Sequence, residues 1–246
     1  MAKNTYVDNI LFQCQNEEEA LAKIKEAKEI FKQAAMNLRE FLSHRPTVME
    51  QIPEEDRLDK AKAQVLGIKW DISDDSLTLK FPKEDESVIS RRSVLSALAS
   101  IYDPLGLINP CLLSTKLFFQ RLWDGDRTWD QPVNLEEQKE WQNIRQTWKD
   151  QTISIPRLII LKEFEECQIH VFSDASESAY VTCVYLRTSK GFCVNSSLIF
   201  ARNRLRPKNA KSSLTVPRME LLGAGPPQKV ETQKVDTQKV DTLVVE

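Results

Sequence analysis

Histidine, paired cysteines and long apolar runs are what this 246-residue sequence is short of. With only His44 and His170 available, a histidine-based metal centre is not expected. The five cysteines, at 14, 111, 167, 183 and 193, are odd in number, scattered and form no CxxC pair. That pattern favours free thiols in a reducing compartment over a disulfide framework or a zinc site. No apolar run approaches the ~18 residues of a membrane span, and Met-Ala-Lys-Asn-Thr is no secretory leader. The expectation is an intracellular protein, cytoplasmic or nuclear, with no membrane contact. Strong charge of one sign is missing as well: 34 basic against 36 acidic residues leave a formal net charge of −2. Binding to nucleic acid would therefore need a local basic patch rather than the field of the whole chain.

What is present has ordinary globular composition, 41% hydrophobic and 28% charged, with length for one large domain or two small ones. Residues 4–14, NTYVDNILFQC, read as two short strands around a turn at Asp8-Asn9, since both residues tolerate left-handed backbone. Asn16 can then cap a helix whose first turn holds Glu17, Glu18 and Glu19. Ala20, Ile24, Ala27, Phe31, Ala34, Leu38 and Leu42 recur at helical spacing, which predicts a helix over 17–42. Residues 43–62 read as a connection, and 64–81 alternate on both sides of Ser73-Asp74-Asp75-Ser76, which predicts a hairpin.

Residues 89–150 mix helical runs with the loop IYDPLGLINP and hold Trp123, Trp129, Trp141 and Trp148, read as packing residues. From 168 onward the pattern is one of strands, the first, QIHVFSDAS, ending on Asp174. The segment 202–213 carries Arg202, Arg204, Arg206, Lys208 and Lys211 and no acid. It reads either as a phosphate-contacting patch or as a solvated loop before a helix, and the near-neutral chain favours the loop. Pro217 suits the first turn of that helix, with Glu220 inside it. Three copies of Gln-Lys-Val-Glu/Asp-Thr fill 228–242, and 225–246 read as a disordered tail.

Taken in order, several of these segments resemble the Pol polyprotein of Bel/Pao-type LTR retrotransposons. Tyr6-Val7-Asp8-Asn9 resembles a YxDD turn, and VLGIKWD (65–71) the palm hairpin that follows it. RRSVLSALASIYDPLGLINP (91–110) is similar to the thumb segment, with DPLG its most specific marker. WD (129–130), IPR (155–157), VFSDAS (171–176) and VPRMELL (216–222) continue the match, so that it covers roughly 5–224. The resemblance implies a mixed α+β chain: the end of a reverse transcriptase palm over 1–82 and a helical thumb/connection over 83–165. A truncated RNase H-like α/β domain over 166–224 and the tail would follow. The same segment is also described as a Pao peptidase family. Aspartic protease chemistry is not expected, because the sequence has no Asp-Thr/Ser-Gly triplet.

The resemblance also implies two-metal phosphoryl-transfer chemistry, with Mg²⁺ held by carboxylates. It would assign Asp8 to the polymerase, and Asp174 and Glu220 to the RNase H-like part, as vestigial catalytic and metal-binding residues. Asn9 stands where the YxDD turn has a second aspartate. The family's other ligands would lie on strands outside this sequence. The expectation is a Pol fragment without autonomous catalysis, able through Arg202, Arg204, Arg206, Lys208 and Lys211 to meet an RNA–DNA hybrid. The alternatives are a retained nucleic-acid-binding or scaffold protein whose incomplete sheet recruits a protein partner, or a piece of a larger active Pol.

Overall fold

The computed structural model describes residues 5–6, 9–82, 88–148, 152–160, 163–210, 213–224 and 241–245. Asp8 and Lys211 lie outside them. The chain divides into two compact units: 1–79, 154–158 and 234–246 in the first, 80–153 and 159–233 in the second.

In the first unit, Thr5 bridges Ile10 and the Tyr6 amide donates to the Asn9 carbonyl at 2.7 Å. Strand β1 (Ile10–Cys14) leads into helix α1 (Glu17–Gln33). The Asn16 side chain accepts from the Glu19 amide at 2.8 Å, and three glutamates meet the positive end of the dipole. The helix stops nine residues short of the expected end. Ala35 and Glu40 adopt positive φ (56° and 64°), and Phe41 and Leu42 enter strand β2 (Phe41–Ser43), both fully buried. Leu42 matches the helical period, but burial in a strand outweighs propensity there.

A short helix, α2 (Pro46–Glu50), precedes β3 (Gln64–Val65), β4 (Ile68–Asp71) and β5 (Ser76–Lys80), the expected hairpin with an added turn at Leu66-Gly67. Ile10, Phe12, Cys14, Ala20, Ile24, Ala27 and Phe41 form one core, and Leu42, Leu58, Ala63 and Trp70 a second.

Helices α3 (Arg91–Ala99), α4 (Asn109–Arg121) and α5 (Leu135–Gln146) build the helical part of the second unit. Ser90 and Asn134 both form capping boxes. Trp148 stacks on Phe81 and Trp141 on Phe118, each at 5.6 Å, and both tryptophans are buried. Trp123 and Trp129 differ from the expectation of packing: they are 45% and 40% exposed and pack edge-to-face against each other. Arg91 lies over Trp123 and donates to the carbonyls of Leu122, Gly125 and Arg127. Arg92 pairs with Asp130. The RR and WD motifs are thus one staple that holds the 122–130 loop.

Strand β6 (Thr152–Pro156) adds to the β3-β4-β5 sheet. Then β7 (Glu166–Ala175), β8 (Ala179–Lys190) and β9 (Cys193–Leu205) form an antiparallel meander in the second unit. Helix α6 (Val216–Ala224) packs on β7 and β8. The 165/166 boundary expected between a thumb region and an RNase H-like region falls inside this second unit. The reason is the DPLG loop. Asp103 accepts from the Leu107 and Ile108 amides at 3.0 and 2.9 Å, and the loop so shaped lies along the outer edge of β9. There the Ala201 amide donates to the Leu105 carbonyl, and the Ala201 carbonyl accepts from Asn109 Nδ2, both at 2.9 Å.

Of the tail expected to be disordered, 225–240 lie outside the described residues, and 241–245 form a strand. Strand β10 (Asp241–Val245) lies between β1 and β2, antiparallel to both. The last two residues of the third repeat and the Leu243-Val244-Val245 after them complete a ladder that β1 and β2 do not form with each other.

Candidate nucleic-acid interface

The β7-β8-β9 meander carries the candidate residues, and its register decides which face each one uses. Ser173 pairs with Thr182, and Thr182 with Arg202, so all three side chains share a face. Helix α6 sits on that face. Ser173 Oγ donates to the Glu220 carbonyl at 3.2 Å and Thr182 Oγ1 to the Gly223 carbonyl at 2.6 Å. Met219 and Gly223 turn inward, and a Cβ at Gly223 would run into Ser173 Oγ. Glu220 itself is exposed.

Tyr180 pairs with Arg204, two residues along, so Arg204 shares the α6 face with Arg202. Both arginines are exposed. They belong to β9, not to the loop expected over 202–213; their alternation with Ala201 and Asn203, which face α4, satisfies the strand period instead. Lys208 and Arg206 are used within the protein. Lys208 forms an ion pair with Asp124, and Arg206 donates from its amide to the Ser178 carbonyl and from Nη1 to the Glu177 carbonyl. The basic set predicted as one patch therefore splits, with Arg202 and Arg204 on the sheet face and the other two described members holding loops.

Asp174 lies in β7, one residue short of its end, and pairs with Val181, which pairs with Asn203. This places it on the opposite face from Ser173 and α6. Its Oδ1 accepts from the next amide, that of Ala175, at 2.9 Å. The fold thus brings the two segments together through the Ser173 hydroxyl and the Glu220 carbonyl, while the Asp174 side chain leaves on the face opposite to α6. A divalent-metal clamp needs several convergent carboxylates. Among the described residues no group of three or more His, Cys, Asp or Glu side chains is placed to hold a metal ion. The described carboxylates do not fit the Mg²⁺ pair implied by the resemblance, and no catalytic step is derived through one.

The sequence reading missed Lys116. Its ammonium donates to Asn109 Oδ1 at 3.0 Å and to Asn203 Oδ1, while Asn203 Nδ2 donates to the Asn109 carbonyl at 2.7 Å. Burial lowers the Lys116 pKa, opposed in part by the Asp103 carboxylate. The signal was present: Asn109 and Lys116 are seven apart on one helix, hence on one face.

No curated protein matches the sequence. The model of the Pao retrotransposon-like RNaseH-like domain matches residues 90–241, which takes in α3, α4 and α5 as well as the meander and α6. That match covers well over half of the sequence, and the chain belongs to the Pao retrotransposon-like RNaseH-like domain family.

Proposed function

We propose that the chain is a retrotransposon Pol-derived module that binds nucleic acid, with an RNA–DNA hybrid the expected ligand, and does not cleave it alone. One observation carries this reading: α6, seated on the meander through Ser173 and Thr182, shares its sheet face with exposed Arg202 and Arg204. Two guanidinium groups at alternate strand positions suit the spaced phosphates of a backbone. The lack of autonomous cleavage is supported by the strand register, which sets Asp174 on the face opposite to α6, the helix that carries Glu220. Descent of residues 1–82 from a reverse transcriptase palm is supported by the Thr5–Ile10 bridge before β1 and by the β3-β4-β5 hairpins.

The test combines hybrid binding with a Mg²⁺-dependent cleavage assay on the full chain. The expected outcome is salt-sensitive binding and no cleavage, with Asp174→Asn indistinguishable from the parent. Reproducible cleavage lost in Asp174→Asn would refute the inactive reading, and salt-independent or absent binding the nucleic-acid reading.

A further inference from the structure

The gap between β1 and β2 is filled from a distant part of the chain. The two strands form no ladder with each other, and β10 lies between them, antiparallel to both. Its register sets Leu243 beside Phe12 and Ser43, Val244 beside Leu11 and Leu42, and Val245 beside Ile10 and Phe41. Of these neighbours Ile10, Phe12, Phe41, Leu42 and Ser43 are buried, and Phe41 and Leu42 belong to two different cores. The slot therefore offers main-chain donors and acceptors on two sides, between flanks that are mostly apolar. Beyond Asp241, none of this pairing falls within the family-matched residues 90–241.

The repeats show what the slot selects. Asp241-Thr242-Leu243-Val244-Val245 aligns with Asp236-Thr237-Gln238-Lys239-Val240 and with Glu231-Thr232-Gln233-Lys234-Val235. Sliding the chain by one repeat would keep the acid, the threonine and the last valine, but would set Gln238 beside Phe12 and Lys239 beside Leu42. An amide and an ammonium would then leave water for a mostly apolar site, which is costly without partners. The segment that occupies the slot is the one with Leu-Val in place of Gln-Lys. We propose that the slot is a strand-acceptor site for an extended peptide segment, an acid and a threonine followed by three aliphatic residues. Strand β10 occupies it in cis, and a matching segment of a partner protein takes its place in trans. Recognition by strand addition has this division of labour: main-chain hydrogen bonds give affinity, and alternate side chains give specificity. Among the described residues the ladder partners of β10 are β1 and β2 alone, so the exchange leaves the other sheets of the protein as they are.

Peptide exchange on the full chain tests this. The probe is a fluorescein-labelled peptide KVDTLVVE, the sequence of residues 239–246, and the comparison peptide is KVDTQKVE. Fluorescence anisotropy should show saturable binding of the first and binding of the second weaker by about tenfold or more. Val244→Lys in the chain weakens its own β10 and should tighten binding of the first peptide several-fold. A disulfide closes the slot independently. Cys14 lies directly opposite Asp241, and such residues have Cα atoms about 4.5–5.5 Å apart, within disulfide reach. With the exposed Cys111, Cys167 and Cys193 changed to serine, Asp241→Cys should form an internal cross-link to Cys14 on mild oxidation. The oxidised chain should no longer bind the peptide, and reduction should restore binding. Equal affinity for the two peptides, no binding to either the parent or the Val244→Lys chain, or undiminished binding to the oxidised chain overturns the proposal. A cross-link between two chains in place of the internal one overturns the cis occupant.

Discussion

The side-chain carbonyl of Asn9 accepts the amide hydrogen of Leu66 at 3.2 Å. Asn9 is 6% exposed, and Leu66 holds a positive φ of 49° at the tip between β3 and β4, beside Gly67 at 80°. Asn9, the residue that distinguishes YVDN from a YxDD turn, therefore ties the segment before β1 to the turn between β3 and β4, and an amide performs this task without burying a charge.

Asn9→Ala should destabilise the chain by about 1–2 kcal/mol, since the Leu66 amide loses an acceptor in a strained turn. Urea denaturation followed by tryptophan fluorescence measures this. Asn9→Asp retains an acceptor but brings a carboxylate into a buried site. It should lower stability at neutral pH and produce no primer extension.

Asp75 anchors a polar cluster of the first unit. It accepts from Arg157 at 2.6 and 2.9 Å and from Trp70 Nε1 at 2.9 Å, while the Arg157 guanidinium lies over the Trp70 ring at 5.2 Å. Burial pushes the Asp75 carboxyl up, yet the hydrogen bonds and charge of Arg157, with Trp70, outweigh it and hold the pKa below the usual value. A depressed pKa means that the stabilisation is full above the ordinary carboxylate pKa of about 4 and is lost as pH falls below it. Asp75→Asn should cost about 2–4 kcal/mol at pH 7, and less at pH 3. Paired urea titrations at the two pH values test the sign.

Gly106 takes φ 72°, and a Cβ there would collide with the Ala201 carbonyl and Asn109 Nδ2. Gly106→Ala combines left-handed strain with displacement of the loop from β9. We expect a loss of about 2–4 kcal/mol. Limited proteolysis should show the 100–108 segment cut much faster than in the parent.

For the proposed hybrid contact, changing Arg202 and Arg204 together to alanine should weaken affinity and flatten the log–log salt slope by about 1.5–2, one phosphate for each arginine. Lys208→Ala is the contrast. Its ammonium is paired with Asp124, so hybrid affinity should stay within about twofold. Fluorescence anisotropy across a salt series reads both.

Much of the local structure could be read from residue patterns. Asn16 followed by three glutamates dictates a helix start through capping and the dipole, and that start is observed. The alternation around Ser73–Ser76 dictates a hairpin, and Pro217 marks the beginning of α6. The end of α1 was not legible, because Leu42 satisfies the helical period and only its burial in β2 removes it from the helix. The candidate site was legible as a set of residue types, with Arg202, Arg204, Asp174 and Glu220 in their motifs. Its division between faces was not.

By itself the sequence determined many of the element types, since capping, periodicity and turn preference act over a few neighbouring positions, while the ordered motifs carried the family resemblance. Only the tertiary structure decided where those residues point. Strand register places Asp174 opposite to α6 and Arg202 beside it, and long-range contacts such as Leu105 with Ala201 and Asn9 with Leu66 join segments far apart in the chain. A one-residue change of register reverses every face, and that choice is made by the partner strand, which no local pattern contains.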